Sequence, residues 1–530
     1  MEAVKRTEPT RWVLGGVPVF QAEVPGRVRA MLMFRVGHVD EPLHMAGVTH
    51  LIEHLALSGL GEQPYEYNGS VDQTHTCFVA SGTADQVADF FSRVTSALGA
   101  LPLDRVAIER RIIETEAASH VRGSFRESMR LRYGAVGYGT VDYEQVGLLW
   151  LTPQAVAQWA AAHFTSGNAA AWVAGPVIPS LKFELAPGPR IPPPPPTPKR
   201  LPFPVVAEDR SPGVTASMVG TRSPALSTGL SVLAHRALQR IRHAEGLSYN
   251  VQTAIDSLDG RTVHALAMTD CLPEQATQAG SALLDVADVL SLTGPDHAEI
   301  ERVVAAMDEA FSDPQSVVAE MDGLARDELL GVAPHTFAAH REQVAALTPG
   351  AVAAALKPAL ESLILIIPTG TKFPRPNFAP YPYFEPHPLR GTEIPSAYGN
   401  REFIVVGPSG MSMCDSERRA LSILWQEIAV AARWQDGSRL LVGRDGTHIL
   451  YRPQMWRNPE LILSTIDGNA PPDRFVSADG PGPSAELPKP PSRRKGSMLA
   501  GRGPLLLVGG GLLLLALAAA FVLLTQGASH

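Results

Sequence analysis

The run RIPPPPPTPKRLPFP, Arg190 to Pro204, limits what this chain can fold into more than any other stretch. Each proline fixes φ and removes a backbone donor, so the run is neither helix nor central strand but a semi-rigid extended connector. A second break, TKFPRPNFAPYPYFEPHP, spans Thr371 to Pro388. A chain of 530 residues is too long for one core. The breaks define units at 1–187 and 205–372, with a linker at 188–204 between them. A connector at 373–400 follows, then a smaller α+β unit at 401–467, a tether at 468–503 and an apolar segment at 504–525.

The first two units end alike. LTPQAVAQWAAAHFTSGNAAAWVAG runs from Leu151 to Gly175, and LTPGAVAAALKPALESLILIIPTG from Leu347 to Gly370. Each reads as a Thr-capped helix with proline at its first position, then an apolar strand closing on glycine. The recurrence suggests a duplicated domain. In the first unit the periodicity predicts strands at Trp12 to Ala22, Arg29 to Gly37 and Thr74 to Ser81, and helices at Val48 to Leu57, Ala84 to Leu98 and Arg105 to Arg122. The fold class is α+β. For the third unit the pattern predicts a strand at Glu402 to Val406, a helix at Ser416 to Trp434 and a hairpin from Leu440 to Tyr451.

Charge and cysteine content exclude two classes. With 45 Lys+Arg against 53 Asp+Glu the net charge is −8, which disfavours a nucleic-acid partner. Cys77, Cys271 and Cys414 are too few and too scattered for a disulfide framework or a thiolate metal site. From Pro504 to Thr525 the sequence has no charge and is long enough to cross a bilayer as a helix. Arg493, Arg494, Lys495 and Arg502 precede it and no Lys or Arg follows. By the positive-inside rule this reads as a single-pass tail anchor with the soluble units on the cytoplasmic side.

The chemistry concentrates in GVTHLIEHL, Gly47 to Leu55. His50 and His54 are four apart on a predicted helix, so both imidazoles share a face and can bind one metal ion, with Glu53 beside them. Imidazoles and carboxylates without thiolates favour Zn²⁺. A catalytic zinc needs a third protein ligand, and IERRIIETEAA offers Glu109, Glu114 and Glu116. Glu109 and Glu116 are two turns apart, hence on one face.

The order VGHVDEP (Val36 to Pro42), GVTHLIEH, ERRIIETE (Glu109 to Glu116) resembles the pitrilysin/insulinase family of zinc peptidases, the inverzincins. The likeness continues through LTPQAVAQW and into RHAEGLSY, Arg242 to Tyr249, covering roughly residues 10 to 370. It implies two peptidase-like units facing across a cleft, with zinc held by His50, His54 and Glu116. It further implies Glu53 as general base, Glu109 as a supporting carboxylate, and Arg242 and Tyr249 reaching the substrate from the other unit. The segment between His54 and Glu116 is shorter than the family's, and Glu66 to Phe78 resembles a compressed form of the family's Gly-Asn-rich loop, with Asp72 near a usual Asn. No H-x-x-E-H occurs in residues 205 to 370, so the second unit is expected to be metal-free.

The resulting expectation is a membrane-tethered zinc endopeptidase acting on peptides or unfolded protein segments. Substrate would add a strand to a sheet edge near Thr74 to Ser81. A homo-oligomer is left open. The alternative is a non-catalytic binding or assembly protein with a peptidase-like fold.

Overall fold

The computed structural model describes residues 7–119, 123–143, 146–209 and 213–478. The 504–525 segment lies outside these. Among the described residues no helix is long and apolar enough to cross a membrane.

The first unit is a six-stranded sheet with helices on it. Its elements are β1 (Thr10–Leu14), β2 (Val17–Ala22), β3 (Val28–Phe34), α1 (Val48–Leu57), β4 (Glu66–Val71), β5 (Thr76–Gly82), α2 (Ala84–Gly99), α3 (Val106–Ser119), α4 (Ser124–Tyr133), α5 (Pro153–His163) and β6 (Ala169–Ala174). The strand order is β1-β2-β6-β3-β5-β4. The expected long strand at 12–22 is instead the hairpin β1–β2, because Gly15 and Gly16 take positive φ at its turn. The expected loop at 66–78 contains β4, and β4 rather than the 74–81 strand is the sheet edge, since β5 pairs with both β3 and β4.

The second unit repeats this plan with β7 (Val205–Asp209), β8 (Val214–Thr221), α6 (Pro224–Leu238), β9 (Val251–Ser257), β10 (Thr262–Thr269), α7 (Ala276–Thr293), α8 (His297–Ser312), α9 (Ser316–Leu330), α10 (Phe337–Ala345), α11 (Pro349–Glu361), β11 (Ile364–Pro368) and β12 (Ala379–Pro380). Its order is β12-β7-β11-β8-β10-β9. β7 and β11 run parallel as β2 and β6 do, and the other shared pairs are antiparallel in both sheets. Thr152 and Thr348 cap α5 and α11, with proline at the first turn of each.

The two units interleave by trading helices. Val317, Met321, Leu324 and Ala325 of α9 cover Phe20, Met33 and Trp172 on the first sheet. Leu131 of α4 packs in turn among Val205, Ala207, Ile364 and Ile366 of the second. Arg132, 1% exposed, donates to the carbonyls of Ser217 (2.9 Å) and Ser362 (2.8 Å), tying α4 to that sheet. A cavity of about 590 Å³ remains between the units, bordered by Asp72, His75, Arg126, Asp256 and Arg326. The proline connector is extended and pinned, with the amide of Ile191 donating to Asn168 and its carbonyl accepting from Arg35.

The third unit begins before residue 401 and ends after 467. It comprises β13 (Thr392–Pro395), β14 (Phe403–Val406), β15 (Gly410–Cys414), β16 (Ala420–Leu424), β17 (Ile428–Arg433), β18 (Arg439–Gly443), β19 (His448–Tyr451), α12 (Pro459–Asn469) and β20 (Phe475–Ser477). These make two four-stranded sheets, β13-β14-β15-β16 and β19-β18-β17-β20. The helix expected at 416–434 is instead β16 and β17. An apolar run buried on both faces shows no alternation that separates strand from helix.

Candidate metal centre

Helix α1 is the platform of the site. Its N-terminus starts at Gly47, φ 98°, and the carboxylate of Glu41 accepts from the amides of Gly47 and Thr49, each at 2.9 Å. Glu41 is 2% exposed, so two orphan donors of the first turn are met inside the protein. Trp159 of α5 donates to the Thr49 hydroxyl at 3.2 Å, fixing the helix from a second side. Leu51, Ile52 and Leu55 anchor the opposite face in the core.

His50, Glu53 and His54 project together from α1. Their imidazole rings stand 4.8 Å apart and nearly perpendicular. Glu116 comes from α3, its Oε2 3.9 Å from His50 Nε2 and 3.4 Å from His54 Nε2. Ligands bound at about 2.0–2.1 Å to a tetrahedral ion lie about 3.3–3.4 Å apart, so the His54–Glu116 separation matches a zinc site and the His50–Glu116 separation is wider. The donor set, two neutral imidazoles and a carboxylate, suits Zn²⁺ and leaves a fourth position open.

Glu53 Oε2 lies 3.8 Å from each Nε2. It differs from Glu116 in surroundings: the Glu53 side chain is 6% exposed and that of Glu116 is 43%. Burial, then the nearby charges of Glu116 and Glu109, push the Glu53 carboxyl up to about 8. Gly69 of β4 lies against it, and a Cβ there would fall 1.9 Å from Glu53 Oε1. Gly69 was not among the residues expected from sequence. A glycine inside a strand signals close approach of another group, but the strand itself had been read as loop.

Glu109 meets His54 at its other nitrogen, with Oε2 3.5 Å from Nδ1. Arg105 donates to Glu109 Oε1 at 2.7 and 3.0 Å, so Glu109 is held between a guanidinium and an imidazole and fixes the ring's orientation. Glu114 lies apart, half-buried near Arg110 and Arg111, its carboxyl raised by burial.

The structure therefore brings His50, Glu53, His54, Glu109 and Glu116 together. Arg242 and Tyr249 sit elsewhere. Arg242 is on a π-helical turn, Gln239–Ala244, that follows α6, and Tyr249 precedes β9. Arg242 stacks over the Tyr249 ring at 4.7 Å, and Tyr249 is 75% exposed. Arg242 and Tyr249 contact each other, and no described contact joins either to the cluster. In the second unit, α6 and α8 stand where α1 and α3 stand in the first. There Arg236 makes two bonds to Glu299, at 2.8 and 2.6 Å, so an ion pair links the two helices in place of a His and Glu cluster.

Comparison with protein-family models finds no match, and comparison with curated proteins finds none. Solved structures do match. The peptidase M16 inactive domain from Pseudomonas fluorescens aligns with 69% of this chain and all of its own, at 15% identity and a TM-score of 0.57. A protease from Helicobacter pylori gives 14% identity and 0.56 over the same shares. The fold is that of peptidase M16 domains. The periplasmic protease PqqL from Escherichia coli aligns with 83% of this chain but only 56% of its own, at 13% identity and 0.54. This chain thus spans little more than half of the PqqL chain. The P. fluorescens domain is described as inactive, so the fold alone does not decide catalysis. That question rests on the residues of the cluster.

Proposed function

We propose that this protein is a zinc-dependent endopeptidase acting on peptides or unfolded protein segments, tethered to a membrane by residues 504–525 with its described units on the cytoplasmic side. The observation that carries this reading is the convergence of His50, His54 and Glu116 beside a buried Glu53. A Zn²⁺ ion held by those three residues supplies Lewis acidity to the scissile carbonyl. Glu53 takes a proton from the attacking water and delivers it to the leaving amine. Glu109, backed by Arg105, keeps the His54 ring aimed. A peptide adds as a strand to the free edge of β4, where Gly69 gives its backbone room beside Glu53.

Arg242 and Tyr249, exposed on a different unit, act on a bound peptide from across an interface. A second copy of the chain supplies that interface, in keeping with the half-length match to PqqL.

Three measurements test this. Glu53→Gln retains zinc and loses peptide hydrolysis by at least three orders of magnitude; hydrolysis that persists removes Glu53 as base. Tyr249→Phe lowers kcat by roughly one to two orders of magnitude with zinc content unchanged. Mixing the two variants raises activity above that of either alone if Tyr249 acts from the second copy, and does not if it acts within its own chain.

A further inference from the structure

Strands β17 and β18 of the third unit are apolar on both faces. Ile428, Ala431 and Leu441 point into the core between the two sheets of that unit. Ala429, Val430, Ala432, Leu440 and Val442 point the other way and share a second core with Leu43, Ala46, Ala135 and Tyr143 of the first unit. A sheet with apolar residues on both faces needs a covering layer on each. The third unit is therefore built against the first rather than strung after it.

The place of contact is specific. β17 packs on the turn Leu43–Met45, whose last residues lead directly into α1. On its far side that turn is held by Gly147, whose amide donates to the Ala46 carbonyl at 2.9 Å. A Cβ on Gly147 would fall 2.4 Å from the Ala46 nitrogen, so the backbones are in close contact. The segment between Glu41, which caps α1, and Gly47, which begins it, is thus clamped between Gly147 and β17. A second contact reinforces the first. The β18–β19 turn reaches Gly134, φ +75°, where the Ala135 amide donates to the Arg444 carbonyl at 3.0 Å. His50 follows Ala46 by four residues, so displacement of the clamped turn moves the imidazoles.

We infer that the third unit is a positioning element of the metal centre, acting through Val430 and its neighbours on the Leu43–Ala46 turn. The inference rests on the reading of α1 as the metal-binding helix. Val430 is 0% exposed and touches no proposed ligand. Val430→Ala, in the full chain, is predicted to speed amide exchange across residues 47–57 by at least tenfold, weaken zinc binding severalfold and lower kcat for a short peptide severalfold with KM little changed. Ile462→Ala is the control. Ile462 is equally buried but belongs to the third unit's internal core. It should loosen that unit while leaving exchange in α1 within twofold of wild type. Val442→Ala, on the same face as Val430, replaces it if Val430→Ala does not fold. Unchanged α1 exchange in the Val430 or Val442 variant, or an equal rise in Ile462→Ala, overturns the proposal. A wild-type chain that binds zinc without hydrolysing peptide overturns the peptidase reading alone, because the exchange comparison still decides this one.

Discussion

At the scale of single residues the site turns on an absence. Gly69 has no side chain where any other residue would strike Glu53, and this proposed general base keeps its place because β4 can lie flat against it. Gly69→Ala puts a methyl where Glu53 Oε1 now is. Either the carboxylate swings away or the strand lifts, and a displacement of about 1 Å costs on the order of 100-fold in rate. The expected outcome is a kcat lower by one to two orders of magnitude with zinc content near wild type, measured by steady-state kinetics and metal analysis. The histidines and glutamates were legible in the sequence because helical spacing alone places them on shared faces. Gly69 was not, since its role depends on which strand runs past α1, and that is decided by pairing with β5, where Gly69 faces Phe78.

At the scale of elements, what was legible followed from local signals. The bounds of α1, and the caps of α5 and α11, come from apolar periodicity and from Thr-Pro, which act within a few residues. What failed depended on tertiary surroundings. The 416–434 segment is strand because two layers bury it, one of them contributed by Leu43, Ala46, Ala135 and Tyr143 of the first unit, far away in sequence. The joint between α4 and the second sheet carries a prediction of its own. His264 is fully buried, its Nε2 2.9 Å from Ser217 Oγ and 3.3 Å from Ser128 Oγ of α4. Burial, and then Arg132 nearby, push it down to about 3. A histidine whose folded value lies below its unfolded one is neutral in both states above about pH 6.5 and contributes no pH dependence there. Below that the unfolded chain binds the proton first, so stability falls by up to about 1.4 kcal/mol per pH unit until the folded value is reached. His448, pushed down to about 4 mainly by burial, adds in the same direction. Thermal melts from pH 7 to 4.5 should show this loss, and His264→Gln should make the slope shallower. An unchanged slope would mean that His264 titrates freely.

At the scale of the whole molecule, the proposed anchor gives a simple separation. The full chain is expected to stay with membranes through a carbonate wash, and a chain ending at Ser477 to remain in the supernatant, with fractionation and immunoblotting as the readout. Release of the full chain by carbonate would replace the integral anchor by a peripheral one. The traded helices have a consequence for how the protein is made. The ribosome completes β6 about 150 residues before it completes α9, which at roughly 5–20 residues per second is a wait of about 8–30 s. Throughout that interval Phe20, Met33 and Trp172 have no cover from their own unit. The nascent first unit is thus expected to need a holding chaperone until its lid is synthesised. A codon change that slows translation between the proline connector and Ser316 lengthens that exposure without altering a single amino acid.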